Sequence, residues 1–203
     1  MAHRGRYEYR KRKKEKEMRI VMRSPKENMI REILGWIVYL FFVIACVYLI
    51  ITYVGQRTLV SGTSMENALH DEDNLIVDKI TYRLREPERY EIIVFPYRYE
   101  ENTHYIKRII GLPGETVQII DGYVYINGRQ LDEHYGKEVM VNPGIAEEPI
   151  ELGADEYFVL GDNRNNSSDS RDASVGVLKR DEIIGRAWLR IWPLSDIGVI
   201  PHE

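Results

Sequence analysis

An uncharged apolar run near the amino terminus limits what this chain can fold into more than any other feature. Residues 33–55 read ILGWIVYLFFVIACVYLIITYVG, which is 23 positions without a charged side chain. As an α-helix this run is about 34 Å long, close to the thickness of a bilayer's hydrocarbon core. A helix buried in a soluble core would show a polar face, and the apolar region of a cleaved signal peptide is shorter, about 7–15 residues. The run therefore predicts one uncleaved transmembrane helix.

The net charge of −4 conceals two oppositely charged parts. Residues 1–32 carry 12 Lys and Arg against 5 Asp and Glu, which leaves 16 basic and 27 acidic residues for the rest of the chain. Basic flanks stay on the cytoplasmic side of a membrane span. We therefore predict a basic cytoplasmic tail over residues 1–32, a transmembrane helix over 33–55 and an extracytoplasmic domain over 56–203. The protein would be a single-pass protein of the cell membrane.

The basic tail suggests which partners to expect. Beside a membrane span, a cluster of Lys and Arg is suited to anionic membrane lipid, so lipid is an expected partner. The same tail could be an arm that binds nucleic acid, but the adjacent span makes that interpretation weaker, and no nucleic-acid partner is expected.

Beyond the span, the patterns are those of strands and tight turns. Five short segments rich in β-branched or aromatic residues predict strands: IVFPY, HYIKRII, TVQII, YVYI and EYFVL. Asp121-Gly122 and Asn127-Gly128 favour hairpin turns and predict a three-strand meander over residues 116–131. Cys46, the one cysteine, lies in the apolar run, so the outer domain folds without disulfides. The predicted fold class is mainly β, preceded by one N-terminal transmembrane helix.

Two segments of the outer domain are candidates for chemistry. Residues 60–69 read VSGTSMENAL, and residues 161–171 read GDNRNNSSDSR, a stretch with no apolar side chain. Burial cannot stabilise the second segment, so it is either a solvated surface loop or a loop held by Arg–carboxylate bonds, and its composition leaves both possibilities open. No paired cysteines, HExxH string or close histidine pair is present, so neither a metal nor another cofactor is expected.

A serine with a lysine is the catalytic chemistry that remains. Lys107 lies in an otherwise apolar strand, where desolvation can lower its pKa enough for the neutral amine to act as a general base. The alternative is a lysine that points outward and is merely solvated. Ser64 alone is no stronger an indication, and the residues by themselves leave the choice open. His202 is expected in a frayed, solvated segment.

Six strings in a fixed order carry a resemblance to a known family. Behind the apolar run stand SGTSMENAL, DNLIVDK, RYEIIVF, YIKRIIGLPGE, GDNRNNSSDSR and IIGRAWLRIWP. Together they resemble the boxes of bacterial type I signal peptidases, membrane-anchored Ser/Lys endopeptidases that remove signal peptides from exported preproteins. The resemblance implies a signal-peptidase-like β-domain. Only 52 positions, 109–160, separate the string YIKR from the string GDNR, which resembles the compact form of many Gram-positive members.

The resemblance also implies roles for particular residues. Ser64 matches the nucleophile, Lys107 the general base, and Ser167 the serine that hydrogen-bonds and orients that lysine. The backbone N–H of Ser64 matches one oxyanion-hole donor. Some relatives have a second donor, a serine hydroxyl, where this chain has Gly62. Asn67 and the following Ala stand where the family usually has Pro-Thr, so the turn after the nucleophile is expected to differ.

Two further sets of residues follow from the resemblance. Ion pairs that support the polar loop are implied for Asp162, Arg164, Asp169 and Arg171. Shallow apolar pockets for a signal peptide, which would bind as an added strand and be cut after an Ala-x-Ala pattern, are implied for Val60, Met65, Leu69, Tyr105 and Ile106. The alternative for these five residues is ordinary core packing.

Two other functions remain possible for a chain of this kind. One is a non-proteolytic relative that assists the assembly of surface proteins, but such a protein normally lacks the Ser/Lys pair. The other is a self-cleaving Ser/Lys repressor of related fold, which the membrane span and the missing DNA-binding domain argue against.

Overall fold

The computed structural model describes residues 8–15, 25–100, 103–136 and 138–202. Part of the basic tail predicted over residues 1–32, including the end of the run RKRKKEKEMR, lies outside the described residues. Residues 8–15 form a short helix, α1. Internal contacts divide the chain into two units, Met1–Leu49 and Ile50–Glu203.

The apolar run is helical, as predicted. Helix α2 covers Pro25–Leu49, and π-helical turns continue over Ile50–Val54. The 27 residues Asn28–Val54 are long and apolar enough to cross a membrane. Their large side chains are exposed, with Trp36 at 71% and Phe41 at 73%, so this helix requires an apolar surrounding such as the interior of a bilayer.

The rest of the described chain is mostly β-structure, which confirms the predicted fold class. Its one α-helix after α2 within the described residues is the single turn α3, Thr81–Leu84. The strands in chain order are β1 (Gly55–Leu59), β2 (Asn74–Asp78), β3 (Ile92–Pro96), β4 (His104–Gly111), β5 (Thr116–Ile120), β6 (Tyr123–Ile126), β7 (Arg129–Gln130), β8 (Ile150–Glu151), β9 (Glu156–Leu160), β10 (Leu178–Lys179), β11 (Gly185–Trp192) and β12 (Gly198–Val199).

These strands form two antiparallel sheets. The larger sheet has the order β1-β2-β11-β3-β4-β9-β10, with β12 paired to β11, and the smaller has the order β7-β6-β5-β8. The predicted meander is β5, β6 and β7, joined by the two predicted turns. All four turn residues, Asp121, Gly122, Asn127 and Gly128, have φ between 51° and 82°, the left-handed backbone that Asp-Gly and Asn-Gly pairs tolerate.

The central strand β3 is buried on both faces. Ile92 and Val94 pack into one apolar cluster, while Ile93 and Phe95 pack into another. Because successive side chains on a strand point to opposite faces, burial of both faces explains why this strand is a continuous apolar run. The neighbouring strand β4 is thereby held in the middle of the larger sheet.

Strand β4 has different partners along its length. Its residues His104–Arg108 pair with β3 on one side, whereas pairing with β9 on the other side begins only at Arg108. No described strand pairs with that second edge of His104–Lys107. The backbone beside Lys107 is therefore open to an additional strand.

The expectation that His202 is frayed and solvated is wrong. Its Nδ1 lies 3.0 Å from the backbone N of Ile92, which donates to it, and its carbonyl accepts bonds from Arg108 and Tyr135, both at 3.2 Å. Burial, together with the charge of Arg186, lowers the pKa of His202 to about 4, so the imidazole is neutral at pH 7. The position of His202 in the sequence did not reveal these partners, because Arg108 and Tyr135 lie 94 and 67 residues away from it.

Candidate active site

The structure brings Ser64 and Lys107 into direct contact. Ser64 lies in a short turn in which the N–H of Glu66 donates to the carbonyl of Thr63 at 3.1 Å. Lys107 projects from β4, and its Nζ lies 2.7 Å from Ser64 Oγ. The same Nζ donates to the carbonyl of Ile106 at 3.0 Å. The two residues are 43 positions apart in sequence, so the sheet rather than local structure makes this pair.

The surroundings of Lys107 lower its pKa and make the uncharged amine more accessible than in a solvated lysine. Lys107 is only 4% exposed, so it is not a solvated lysine that points outward. Burial lowers the pKa of Lys107 to about 8, although the negative charges of Asp169 and Asp162 act in the opposite direction. A neutral amine has one lone pair and two N–H groups. It can therefore accept the proton of the Ser64 hydroxyl while it donates to Ile106.

The polar loop 161–171 lies directly against the serine. The backbone N–H of Asn163 donates to the carbonyl of Ser64 at 3.0 Å. A Cβ on Gly161 would lie 2.6 Å from that same carbonyl oxygen and would overlap the hydroxyl of Ser167. Only glycine permits this approach, which explains the glycine at the start of the GDNR string.

Ser167 does not make the bond that the resemblance implies. Its Oγ is buried and has no hydrogen-bond partner among the described residues, Lys107 included. The hydroxyl instead packs close to Gly161. Its assignment as the residue that orients the lysine stays a prediction.

Arginine–carboxylate pairs hold the loop, and the solvated alternative does not apply to it. Asp169 and Arg171 pair within the loop through two bonds of 2.8 Å. Asp162 instead pairs with Arg108, also through two bonds of 2.8 Å, with both side chains almost fully buried.

Arg164 joins the loop to Glu133, which lies in the segment between β7 and β8. It pairs with Glu133 through bonds of 2.6 and 2.7 Å, and its Nε donates to the carbonyl of Gly161 at 3.1 Å. The four residues predicted to support the loop therefore form three separate ion pairs. One pair lies within the loop, and the other two join the loop to Arg108 and Glu133. Sequence reasoning missed Arg108 and Glu133, although Arg108 directly follows the lysine in the string YIKR.

A cleft of about 340 Å³ opens beside the Ser64–Lys107 pair. Four of the five predicted pocket residues line it: Val60, Met65, Tyr105 and Ile106. Leu69 does not line it, because its side chain is fully buried in the core with Leu75 and Val77. Val60, Met65 and Ile106 belong to that same core cluster, so they serve both the core and the cleft wall.

Polar residues of the cleft wall were also missed. Thr63, Asn166 and Ser168 line it, next to the predicted residues in sequence. Their position within the two resembling strings was a signal, but a string does not show which side chains face the cleft. Among the described residues, no group of three or more His, Cys, Asp or Glu side chains could hold a metal ion.

The turn after the serine departs from the family's usual sequence in a way that the backbone explains. Asn67 has φ +127°, whereas proline holds φ near about −65°. A proline therefore could not occupy this conformation.

The N–H of Gly62 donates to Asp71 at 2.8 Å, and the N–H of Ser64 donates to no described residue, which leaves it free for an incoming oxyanion.

Comparison with known proteins identifies the family. A family model described as signal peptidase, peptidase S26, matches residues 33–192. The chain belongs to this family. The family membership predicted from the sequence strings is thereby confirmed, and it supports cleavage of signal peptides from preproteins.

Individual relatives agree with this assignment. A probable signal peptidase I-2 from Synechocystis sp. is 43% identical over 157 residues, covering 75% of this chain and 70% of the relative. Signal peptidase I from Bacillus amyloliquefaciens is 34% identical over 185 residues, covering 87% and 98%. A crystal structure of a signal peptidase I from Enterococcus faecalis, 34% identical, aligns with a TM-score of 0.42 over 50% of this chain and 97% of that one.

The buried Arg108–Asp162 pair yields a prediction about stability. Asp162→Ala leaves the Arg108 guanidinium buried and unpaired, so the free energy of unfolding should fall by about 3–5 kcal/mol. Denaturant titration of the wild type and the variant measures this. Asp132→Ala, which removes a carboxylate that is 95% exposed, is the matched control and should change stability by less than about 0.5 kcal/mol. Equal effects of the two variants would contradict the prediction.

Proposed function

We propose that Ser64 and Lys107 form the catalytic pair with which this signal peptidase cleaves preproteins. The observation that carries the proposal is the 2.7 Å distance between Ser64 Oγ and Lys107 Nζ in a site where burial lowers the pKa of the lysine to about 8. A lysine with an ordinary pKa is charged at neutral pH and cannot accept a proton. The burial of Lys107 supplies the neutral base that the reaction needs.

The proposed reaction has two halves. The amine of Lys107 takes the Ser64 proton while Oγ forms a bond to the scissile carbonyl carbon, and the oxyanion receives the free N–H of Ser64. The C–N bond then breaks, and the ammonium of Lys107 returns the proton to the leaving amine. In the second half Lys107 takes a proton from water and the hydroxide adds to the ester carbonyl. The C–Oγ bond then breaks, the signal peptide leaves with a new carboxyl group, and the ammonium of Lys107 returns the proton to Oγ.

The open edge of β4 supports binding of the signal peptide as an added strand. An extended peptide along His104–Lys107 would use backbone groups that no described strand uses. Val60, Met65 and Tyr105 give the cleft an apolar part of its wall. The resemblance to signal peptidases implies small side chains near the cut, in the Ala-x-Ala manner. Ser167 is proposed to orient Lys107, and the charged loop residues Asp162, Arg164, Asp169 and Arg171 are proposed to support the loop rather than to contact the scissile bond.

We also propose that the apolar helix is the single membrane anchor, with its basic flank in the cytoplasm and residues 56–203 outside. The charge difference across the helix supports this orientation, and anionic lipid is the proposed partner of the tail. No role for nucleic acid is proposed.

The orientation can be tested by protease accessibility. In cells stripped of their wall, added protease should digest an epitope placed after residue 203 and spare one placed before residue 1, because the bilayer shields the cytoplasm. Inverted membrane vesicles are the control and should give the opposite pattern. Protection of the carboxyl-terminal epitope in intact cells would reverse the proposed topology.

Removal of either member of the pair should abolish cleavage. We expect Ser64→Ala and Lys107→Met to lower kcat by at least about 10³-fold in an assay with purified enzyme and a preprotein. Lys107→Met keeps a long side chain and removes the cost of burying an amine, so its Tm should equal or exceed that of the wild type. Full cleavage by either variant would disprove the mechanism.

The lowered pKa of Lys107 predicts the pH dependence. The base acts only when it is neutral, so kcat/KM should rise about tenfold per pH unit below about pH 8 and level off above it. At pH 7 about one tenth of the enzyme would hold a neutral lysine. Measurement of kcat/KM, which reports on the free enzyme, over a range of pH values tests this. A rise in kcat/KM centred near pH 10.5, the ordinary pKa of lysine, would contradict it.

A further inference from the structure

Three asparagines of the polar loop point in two different directions. Asn163 and Asn166 reach Thr63: Asn163 Nδ2 donates to the Thr63 carbonyl at 3.2 Å, and Asn166 Nδ2 donates to Thr63 Oγ1 at 2.8 Å. Asn165 turns the other way, where its Nδ2 donates to the carbonyl of Val139 at 3.0 Å. Two side chains therefore face the serine's own segment, and one does not.

The bonds to Thr63 add to the one that holds Ser64 itself. Because the N–H of Asn163 donates to the Ser64 carbonyl, the dipeptide Thr63-Ser64 is tied to the loop at three points. Two of these points are carbonyl oxygens, and the third is the Thr63 hydroxyl. The dipeptide otherwise belongs to an exposed turn, in which Ser61, Gly62 and Thr63 are all solvent-accessible.

These hydrogen bonds matter because Lys107 cannot move together with Ser64. Lys107 is buried in the middle of the sheet, and its Nζ is also bound to the carbonyl of Ile106. A shift of the exposed turn by about 1 Å would lengthen the 2.7 Å contact beyond the range of a good hydrogen bond. The bonds from the loop therefore help to set the position of Ser64, in addition to the packing of the adjacent Met65 in the core.

We propose that Asn166 is a positioning residue, which acts through the hydroxyl of Thr63 to hold Ser64 in register with Lys107. The inference rests on the proposed function, in which Ser64 is the nucleophile. Asn166 also lines the cleft, so direct contact with the substrate is the competing role for its side chain. The two roles differ in whether Thr63 is needed.

A double-mutant cycle separates the two roles. Asn166→Ala removes the donor, and Thr63→Val removes the acceptor while keeping the shape of the side chain. Each single variant should lower kcat by about 3- to 10-fold with KM nearly unchanged, and the double variant should be no slower than either one. Thr63→Ser, which keeps the hydroxyl, should retain near wild-type kcat.

Stability measurements and a neighbouring asparagine serve as controls. The Asn166–Thr63 bond is solvent-exposed, so none of these variants should lower Tm appreciably. Asn165→Ala removes an asparagine of the same loop that does not touch the serine segment, and it should leave kcat unchanged.

Other results would overturn the inference. These are additive losses in the double variant, a raised KM with unchanged kcat in Asn166→Ala, or full activity of Asn166→Ala and Thr63→Val. With Ser64→Ala inactive, any of these results would reject the positioning role and leave the proposed function intact. Cleavage by Ser64→Ala would instead reject the proposed function itself.

Discussion

In the proposed mechanism, the arrangement of residues 56–203 depends on the burial of one lysine amine. A lysine can take a proton from serine only while it is uncharged, and desolvation is what lowers the pKa of Lys107 to about 8. The amine must be enclosed and still touch a residue that the substrate can reach. Strand β4 meets the first need by holding Lys107 inside the larger sheet, and the exposed turn that carries Ser64 meets the second. The enclosure is completed by the polar loop 161–171.

That loop brings negative charge close to the lysine, which works against a neutral amine. Asp162 and Asp169 both raise the pKa of Lys107, yet each carboxylate is bound by an arginine, Arg108 and Arg171 respectively. The Arg–carboxylate forks fix a loop that has no apolar side chains.

The open edge of β4 and the apolar helix suit the same kind of substrate. A signal peptide that remains in the membrane presents an extended segment near the surface, and an unpaired strand edge beside the Ser64–Lys107 pair can accept such a segment through backbone bonds. The helix Asn28–Val54 is long and apolar enough to cross a membrane. Both features agree with the proposed cleavage of signal peptides at a membrane.

Local patterns in the sequence determined the apolar helix, the strands and the hairpin turns. The patterns were a long run without charged residues, short segments rich in β-branched and aromatic residues, and the backbone preference of Asp-Gly and Asn-Gly. Each of these acts among residues that are near one another in the chain. The resemblance of six strings to a known family also indicated Ser64 and Lys107. Only the tertiary structure decided which side chains meet: Leu69 enters the core instead of the cleft, Ser167 Oγ has no hydrogen-bond partner among the described residues, and Asp162 pairs with Arg108. Those contacts depend on the register of strands and on loops packed from distant parts of the chain, which no local pattern records.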